Sequence, residues 1–359
     1  MRAKDSATDS NPIAEPTFPA PVQVAGLWLA ALGVLVFSMT LPATAFALEG
    51  LDPYLIGVGR AAAATIVAAF MLLGAHLRER SRARRGALSA AAPPAPAARP
   101  RGRQWAALAV TSATVIFGFP VLSTLALDHG ASSAHASVMI GLLPAATAVM
   151  AVLRAGERPS PAFWASAAAG AAVVTGFAVL RGAGRVTGAD LLLFGALLSA
   201  AVGYAEGGRL TRTIPGWRVI SWALLLAAPI TVPVTLWLLA ATGPQWTGRA
   251  ALGFGYVALL SAYLGFFAWY EGLARAGIAR GSQLQLAQPL LTLLWSGILL
   301  AEPVDGPTLL AAAGVVVCVA LAQRARVRTA PPPAAPRGPG ALAERDSRSH
   351  EGKESVTSR

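Results

Sequence analysis

Charge is scarce in this chain: 13% of its residues are charged, against about 25% in ordinary soluble domains, while 55% are hydrophobic. That balance excludes a soluble globular protein and indicates a polytopic membrane protein. Cysteine is limited to Cys318, so no intramolecular disulfide can form, and its place in an apolar stretch reads as a small core residue. The histidines His76, His129, His135 and His350 are scattered, with no two at the i, i+4 spacing of a metal-binding helix. There is no Gly-x-Ser-x-Gly elbow and no glycine-rich phosphate loop ending in Lys-Ser/Thr. Metal hydrolysis and ATP-driven transport by this chain alone are therefore excluded, and no cofactor is implied. A membrane-embedded enzyme would need two facing catalytic groups at one depth, which the scattered acids and histidines do not supply.

What is present is a series of apolar stretches of 16 to 24 residues. About 20 residues rising 1.5 Å each cross a hydrocarbon core of roughly 30 Å, so the spans are helices. Ten are expected: Gly26 to Ala47, Tyr54 to Ala75, Trp105 to Leu127, Ala134 to Leu153, Ala162 to Val179, Ala189 to Gly207, Val219 to Ala241, Ala250 to Leu273, Gly281 to Ala301 and Thr308 to Gln323. The fifth and tenth are short. Most connections are under a dozen residues, which leaves no room for a soluble domain, so function must sit within the bundle.

A formal net charge of +12 raises nucleic-acid binding, but the arginines follow membrane sidedness instead. With the N-terminus inside, the cytoplasmic loops hold Arg78, Arg80, Arg82, Arg84, Arg85, Arg99, Arg101, Arg103, Arg154, Arg158, Arg209, Arg212, Arg218, Arg275 and Arg280, with Arg324, Arg326 and Arg328 after the last span. The opposite loops hold only Arg181, Arg185 and Arg249. This asymmetry predicts both termini in the cytoplasm of a bacterial plasma (inner) membrane, and no nucleic-acid partner.

Residues 1–25 are polar and lack a basic cluster before the first span, so no cleaved signal peptide is expected, although Ala43-Thr44-Ala45 has the small-x-small form of a cleavage site. The basic, Pro/Ala-rich loop 77–104 and the tail 324–359 read as disordered cytoplasmic segments, like residues 1–25. Arginines beside the second span can touch anionic lipid headgroups.

The chain also repeats itself. Pro144 precedes Glu157 by thirteen residues, as Pro289 precedes Glu302, and Ala-Ala-Ala-Gly follows each glutamate, at Ala167 to Gly170 and Ala311 to Gly314. This gives an all-α integral membrane protein of two five-helix repeats, 26–180 and 189–323. Five spans is an odd number, so the second repeat enters from the opposite side and the repeats are inverted. Pro144 and Pro289 then lie at roughly 12 to 15 Å depth, near the midplane. Each proline removes a backbone hydrogen bond and pushes against a carbonyl four residues earlier, at Ile140 and Gln285. Such irregular backbone is tolerated in a membrane where it faces protein or a wet cavity, so the pair marks a hinge or broken helix beside a cavity between spans four and nine.

Leu51-Asp52-Pro53 followed by Gly59-Arg60, the stretch Ala131-Ser132-Ser133-Ala134-His135-Ala136 leading to Pro144 and Glu157, and Gly277-Ile278-Ala279 leading to Pro289 and Glu302 together resemble the EamA branch of the drug/metabolite transporter superfamily. The resemblance covers residues 26–323 and rests on the joint order of loose, small-residue motifs. It implies a ten-helix inverted-repeat secondary transporter, often an exporter of amino acids or other small metabolites. It also implies that an arginine at the place of Arg60 is common.

An ionisable group inside a span costs roughly 2.5 to 3.5 kcal/mol at the helix centre, and is a functional candidate by default. Arg60 either snorkels, pairs structurally or faces the cavity toward a carboxylate-bearing substrate. Gln283, Gln285 and Gln288 precede Pro289, and Gln285 and Gln288 share a helix face, where they either glue helices together or line the cavity. Ser38, Thr40 and Thr44 beside Pro42 are further candidate lining residues, although hydroxyls often bond back to their own helix. Glu206 and Glu271 are candidate proton carriers, but Arg209 and Arg275 follow at salt-bridge spacing, which offers a structural alternative. Glu157 and Glu302 read as structural, placed where the dipoles of spans five and ten favour an acid. Ala167 to Gly170 with Gly176 should form a close-packing face, and Trp105, Trp217 and Trp246 should be interface anchors.

The expected function is secondary export of a small organic molecule by alternating access, with lipid as the surrounding partner. A non-transporting scaffold is the alternative, and a homodimer stays open.

Overall fold

The computed structural model describes residues 20–86, 99–155, 158–181, 185–211, 213–276, 284–325 and 327–328. Glu157, Arg212, Gly277-Ile278-Ala279, Arg280, Gln283, Arg326, much of the 77–104 loop and nearly all of both tails lie outside the described residues. The regular structure is helical, apart from one antiparallel pairing of Arg158–Pro159 with Val327–Arg328.

The first apolar stretch is divided into α1 (Ala20–Ser38) and α2 (Thr40–Leu48), with Met39 between them. Pro42 falls in the first turn of α2, where a missing N–H leaves no intrahelical bond unmade. α3 (Pro53–Gly86) begins at a proline, and the Asp52 carboxylate accepts from the N–H groups of Tyr54 at 2.8 Å and Leu55 at 3.1 Å. The third stretch comprises α4 (Gln104–Thr111), a π-helical segment (Ser112–Gly118) and α5 (Phe119–Asp128). The fourth is broken into α6 (Ser133–Ile140) and α7 (Leu143–Ala155).

Three continuous helices follow: α8 (Pro161–Arg181), α9 (Gly188–Leu210) and α10 (Gly216–Ala241). Thr187 and Asp190 form a reciprocal capping box at the start of α9. The next stretch is α11 (Gly248–Gly255), a second π-helical segment (Tyr256–Leu264) and α12 (Gly265–Ala276). A 3-10 turn (Leu284–Ala287) leads into α13 (Gln288–Leu300), and α14 (Gly306–Arg324) follows.

Seven of these stretches are long and apolar enough to cross a membrane, with Leu284–Leu300 and Gly306–Ala322 as shorter apolar helices. The exterior is apolar, with Trp28 74% and Leu310 76% exposed, while Arg60 and many serines and threonines are buried. A soluble protein has the reverse arrangement, so this chain is built for a lipid surround.

Two expectations need correction. The second span was placed to end at Ala75, but α3 continues to Gly86, so the arginines from Arg78 to Arg85 extend a helix and are not disordered. Leu, Arg, Glu and Ala are good helix formers, and nothing between Ala75 and Gly86 breaks the hydrogen-bond ladder. Gly176 was grouped with the close-packing face, but a Cβ there would meet nothing within 4 Å. Gly170 does lie in that face: its Cβ would come within 2.7 Å of Leu142 and 3.4 Å of the Cys318 Cβ, in the seam of α8 and α14.

α1 and α12 approach closely: a Cβ on Gly272 would lie 2.4 Å from the backbone nitrogen of Ala30. α3 packs on α10, α6 on α13, and α9 on α4 and α5.

Candidate functional site

A cavity of about 920 Å³, including open solvent at its mouth, lies where the break between α6 and α7 meets the 3-10 turn before α13. Its wall draws on α1 and α2 (Phe37, Thr40, Leu41), α3 (Arg60, Ala61), the first π-helical segment (Val115, Ile116) and α5 (Phe119, Pro120). The break between α6 and α7 contributes Ile140, Gly141, Leu143 and Pro144, and the 3-10 turn with α13 contributes Gln285, Gln288, Pro289 and Thr292. Tyr204, Ser261 and Phe266 complete its polar and aromatic surface.

The irregular backbone around this wall has local causes. Pro144 and Pro289 are each the second residue of a helix, α7 after the break at Gly141 and Leu142, α13 directly after the 3-10 turn. In the third stretch, Pro120 cannot donate to the carbonyl of Ile116, and the preceding turn widens so that Phe119 N–H reaches Thr114 O, five residues back. Ser199 on α9 also donates to Thr114 O at 3.2 Å. The second π-helical segment closes similarly, with Gly265 N–H directed to Leu260 O.

Arg60 is 4% exposed, so its guanidinium does not snorkel to an end of the bundle. Its Nε and Nη1 have no hydrogen-bond partner, and no ion pair to it occurs among the described residues. Gln285 is also buried, and its Nε2 is unpartnered. The hydroxyls are engaged: Thr40 Oγ1 and Ser261 Oγ share a hydrogen bond of 2.8 Å, while Thr292 Oγ1 donates to Ser38 O at 2.8 Å and to Gln288 O at 3.0 Å.

The structure therefore brings Arg60, Gln285, Gln288, Thr40, Pro144 and Pro289 to one cavity wall. Ser38 is not on it. Its Oγ donates to Leu35 O at 2.8 Å and accepts from Trp295 Nε1 at 2.9 Å, making it a joint between α1 and α13. Thr44 bonds back to Thr40 O at 2.8 Å, as threonines in helices commonly do. Glu206 and Glu271 also lie off the cavity wall. Arg209 is 3.4 Å from the buried Glu206, and Arg275 Nε donates to the exposed Glu271 at 2.7 Å.

Glu302 is structural through a different partner from the one its position suggests. It does not cap its own downstream helix, because Asp305 does that by accepting from Thr308 N–H at 3.1 Å. Glu302 instead accepts from the N–H groups of Ser133 at 3.0 Å and Ala134 at 2.8 Å, capping α6. Beside it, His135 Nε2 is 2.6 Å from Asp190 Oδ1, tying α6 to the start of α9. The scattered histidines gave no sequence signal for this pair. The π-helical segments were also missed, and only Pro120 could have indicated the first.

Comparison with known proteins adds to this geometry. Residues 187–323 match the EamA-like transporter family. A Bacillus subtilis protein named "Uncharacterized transporter YdeK" is 41% identical over 296 residues, covering 82% of this chain and 95% of that protein. A Streptantibioticus cattleyicolor protein named "Probable terminal-alkyne amino-acid exporter" is 25% identical over 281 residues, covering 76% and 85% respectively. A solved crystal structure with 19% identity shares the fold at a TM-score of 0.53, covering 83% of this chain and 96% of its own.

Proposed function

The chain belongs to the EamA-like transporter family as a multi-pass membrane transporter, and we propose that it exports an amino acid or another small organic metabolite by alternating access around the cavity. No bond of the solute is made or broken. The observation that carries this reading is the meeting of the break between α6 and α7 with the 3-10 turn that leads into α13, at one polar-lined cavity. Backbone that departs from the α-helix in each half at a shared site resembles the discontinuous helices by which secondary transporters hold solute between moving bundles.

The reading takes the ten helical stretches as two inverted repeats of five. Helix contacts support it because they recur in mates: the first stretch packs on the eighth through α1 and α12, and the sixth packs on the third through α9 with α4 and α5. Likewise, α1 meets α13 as α9 meets α7. The arginine asymmetry supports an orientation with both termini in the cytoplasm and the Glu302 cap at the outer face. Arg60, Gln285, Gln288 and Thr40 are assigned to solute binding, and Pro144 and Pro289 to the hinges. Glu206 and Glu271 receive no part, since each has an arginine beside it away from the cavity.

The test is solute counterflow in proteoliposomes with a panel of labelled amino acids and small organic acids. Protein-dependent exchange of at least one solute is expected. Vesicles that exchange none of them faster than protein-free controls would sink the reading.

A further inference from the structure

This inference rests on the transport reading and names its solute. We propose that the cavity is selective for an organic monocarboxylate carrying no cationic group, with its carboxylate on Arg60 and its apolar body against Phe37, Phe119 and Phe266.

The charge count comes first. Among the described residues lining the cavity there is no Asp, Glu, Lys or His, so Arg60 gives the wall a formal charge of +1. A buried guanidinium with unsatisfied donors carries a heavy desolvation penalty, and persists where something supplies the missing anion. Arg218 shows what a buried structural arginine has in this fold: Glu79 beside it in an ion pair and the Trp217 ring 5.1 Å away. Arg60 has neither a carboxylate nor an aromatic ring stacked on it among the described residues. Nε and Nη1 lie on different edges of the planar fork, Nε with Nη2 and Nη1 with Nη2, so each edge that matches the two oxygens of a carboxylate carries one unsatisfied donor.

The cavity wall adds further donors. Gln285 offers a second unpartnered donor, its Nε2. α7 and α13 both begin at the wall, and a helix N-terminus carries partial positive charge. One carboxylate neutralises this site. An α-ammonium would bring a second cation to a wall whose acceptors are neutral hydroxyl and amide oxygens, with no carboxylate among the described lining residues to offset it. Removing the amino group should therefore improve binding. Phe37 and Phe266, edge to face with centroids 5.0 Å apart, offer the apolar body a firm surface.

The test uses the full chain in detergent and measures thermal stabilisation and affinity for butyrate, hexanoate and 3-phenylpropionate, each beside its amine and alcohol, with phenylalanine as the zwitterion. At least one carboxylate should stabilise the protein, its amine and alcohol should not, and phenylalanine should bind more weakly than 3-phenylpropionate. Arg60→Gln should weaken carboxylate binding about tenfold or more, as loss of a charge-assisted contact implies. Arg60→Lys, which keeps the charge without the fork, should fall between. Equal binding of amine or alcohol, tighter binding of phenylalanine, no binding of any carboxylate, or undiminished binding by both variants would each overturn the proposal. Counterflow separates the two readings. Carboxylate binding without flux removes the transport reading and leaves the site, while Arg60-independent flux of phenylalanine removes the site and leaves transport.

Discussion

The carboxylate of Glu302 accepts a hydrogen bond from the backbone N–H of Ser133 at 3.0 Å, joining the end of α13 to the start of α6 across 169 residues of sequence. Its second oxygen takes the next N–H, of Ala134, at 2.8 Å. The residue is thus a helix cap supplied by the other half of the chain. Glu302→Ala should cost about 1 to 3 kcal/mol, the range for a charged cap whose loss leaves buried donors unsatisfied. Glu302→Gln retains an acceptor and should lose less. Thermal unfolding in detergent checks both, and equal stability of wild type and Glu302→Ala would remove the cap from the account.

A second cap predicts acid sensitivity. The Asp305 carboxyl is held below its ordinary value of 3.8, first by hydrogen bonds from the Thr308 side chain and backbone, and further by the Arg181 guanidinium. A carboxyl whose folded pKa is depressed adds stability that is fully present above its unfolded pKa and is lost as pH falls through the folded one. Stability supplied by Asp305 should therefore be constant above about pH 4.5 and decline below the ordinary 3.8. Unfolding midpoints of wild type and Asp305→Asn, followed from pH 7 to about pH 3, should converge at the acid end. A gap that stays constant to the lowest pH would show that the charge is not involved.

The helix seam at Gly272 gives a steric test. A Cβ there would lie 2.4 Å from Ala30 N, against backbone that cannot rotate away. Gly272→Ala should destabilise by about 1 to 3 kcal/mol, despite alanine's better helix propensity. Gly176→Ala, at a helical glycine facing open space, should be neutral or stabilising. Expression and unfolding midpoints of the two variants should diverge, and matching values would contradict the seam.

Composition and periodicity made the membrane setting legible, and Pro144 marked the break between α6 and α7, because both are local properties of the chain. Arg60, Gln285 and Gln288 were legible for another reason: a polar side chain in an apolar stretch has few places to go. Ser38 shows the limit of that argument, since its hydroxyl found Leu35 O and Trp295 and turned away from the cavity. The partners of Glu302 and His135 could not be read at all. Both depend on which helix ends meet in space, and spacing along the chain carries no trace of it. The π-helical segments escaped for a related reason, because a one-residue register shift leaves the hydrophobic pattern almost unchanged.

The proposed hinges allow the most direct test of the transport reading. Pro144 and Pro289 stand at the second position of α7 and α13, where proline fits a helix start but blocks continuation of the preceding turn. Alanine at either place restores an N–H and lets the interrupted segment join into one helix, closing the backbone that borders the cavity. Pro144→Ala and Pro289→Ala should both fold and still bind solute, because neither removes Arg60 or a glutamine. Counterflow should slow about tenfold in each, equivalent to roughly 1.4 kcal/mol on the rate-limiting barrier, and further in the double variant. Because the two prolines are proposed as mates about an axis in the membrane plane, slowing by one and not the other would mean that a single half of the bundle moves. Wild-type rates in both would make the breaks static features of the wall.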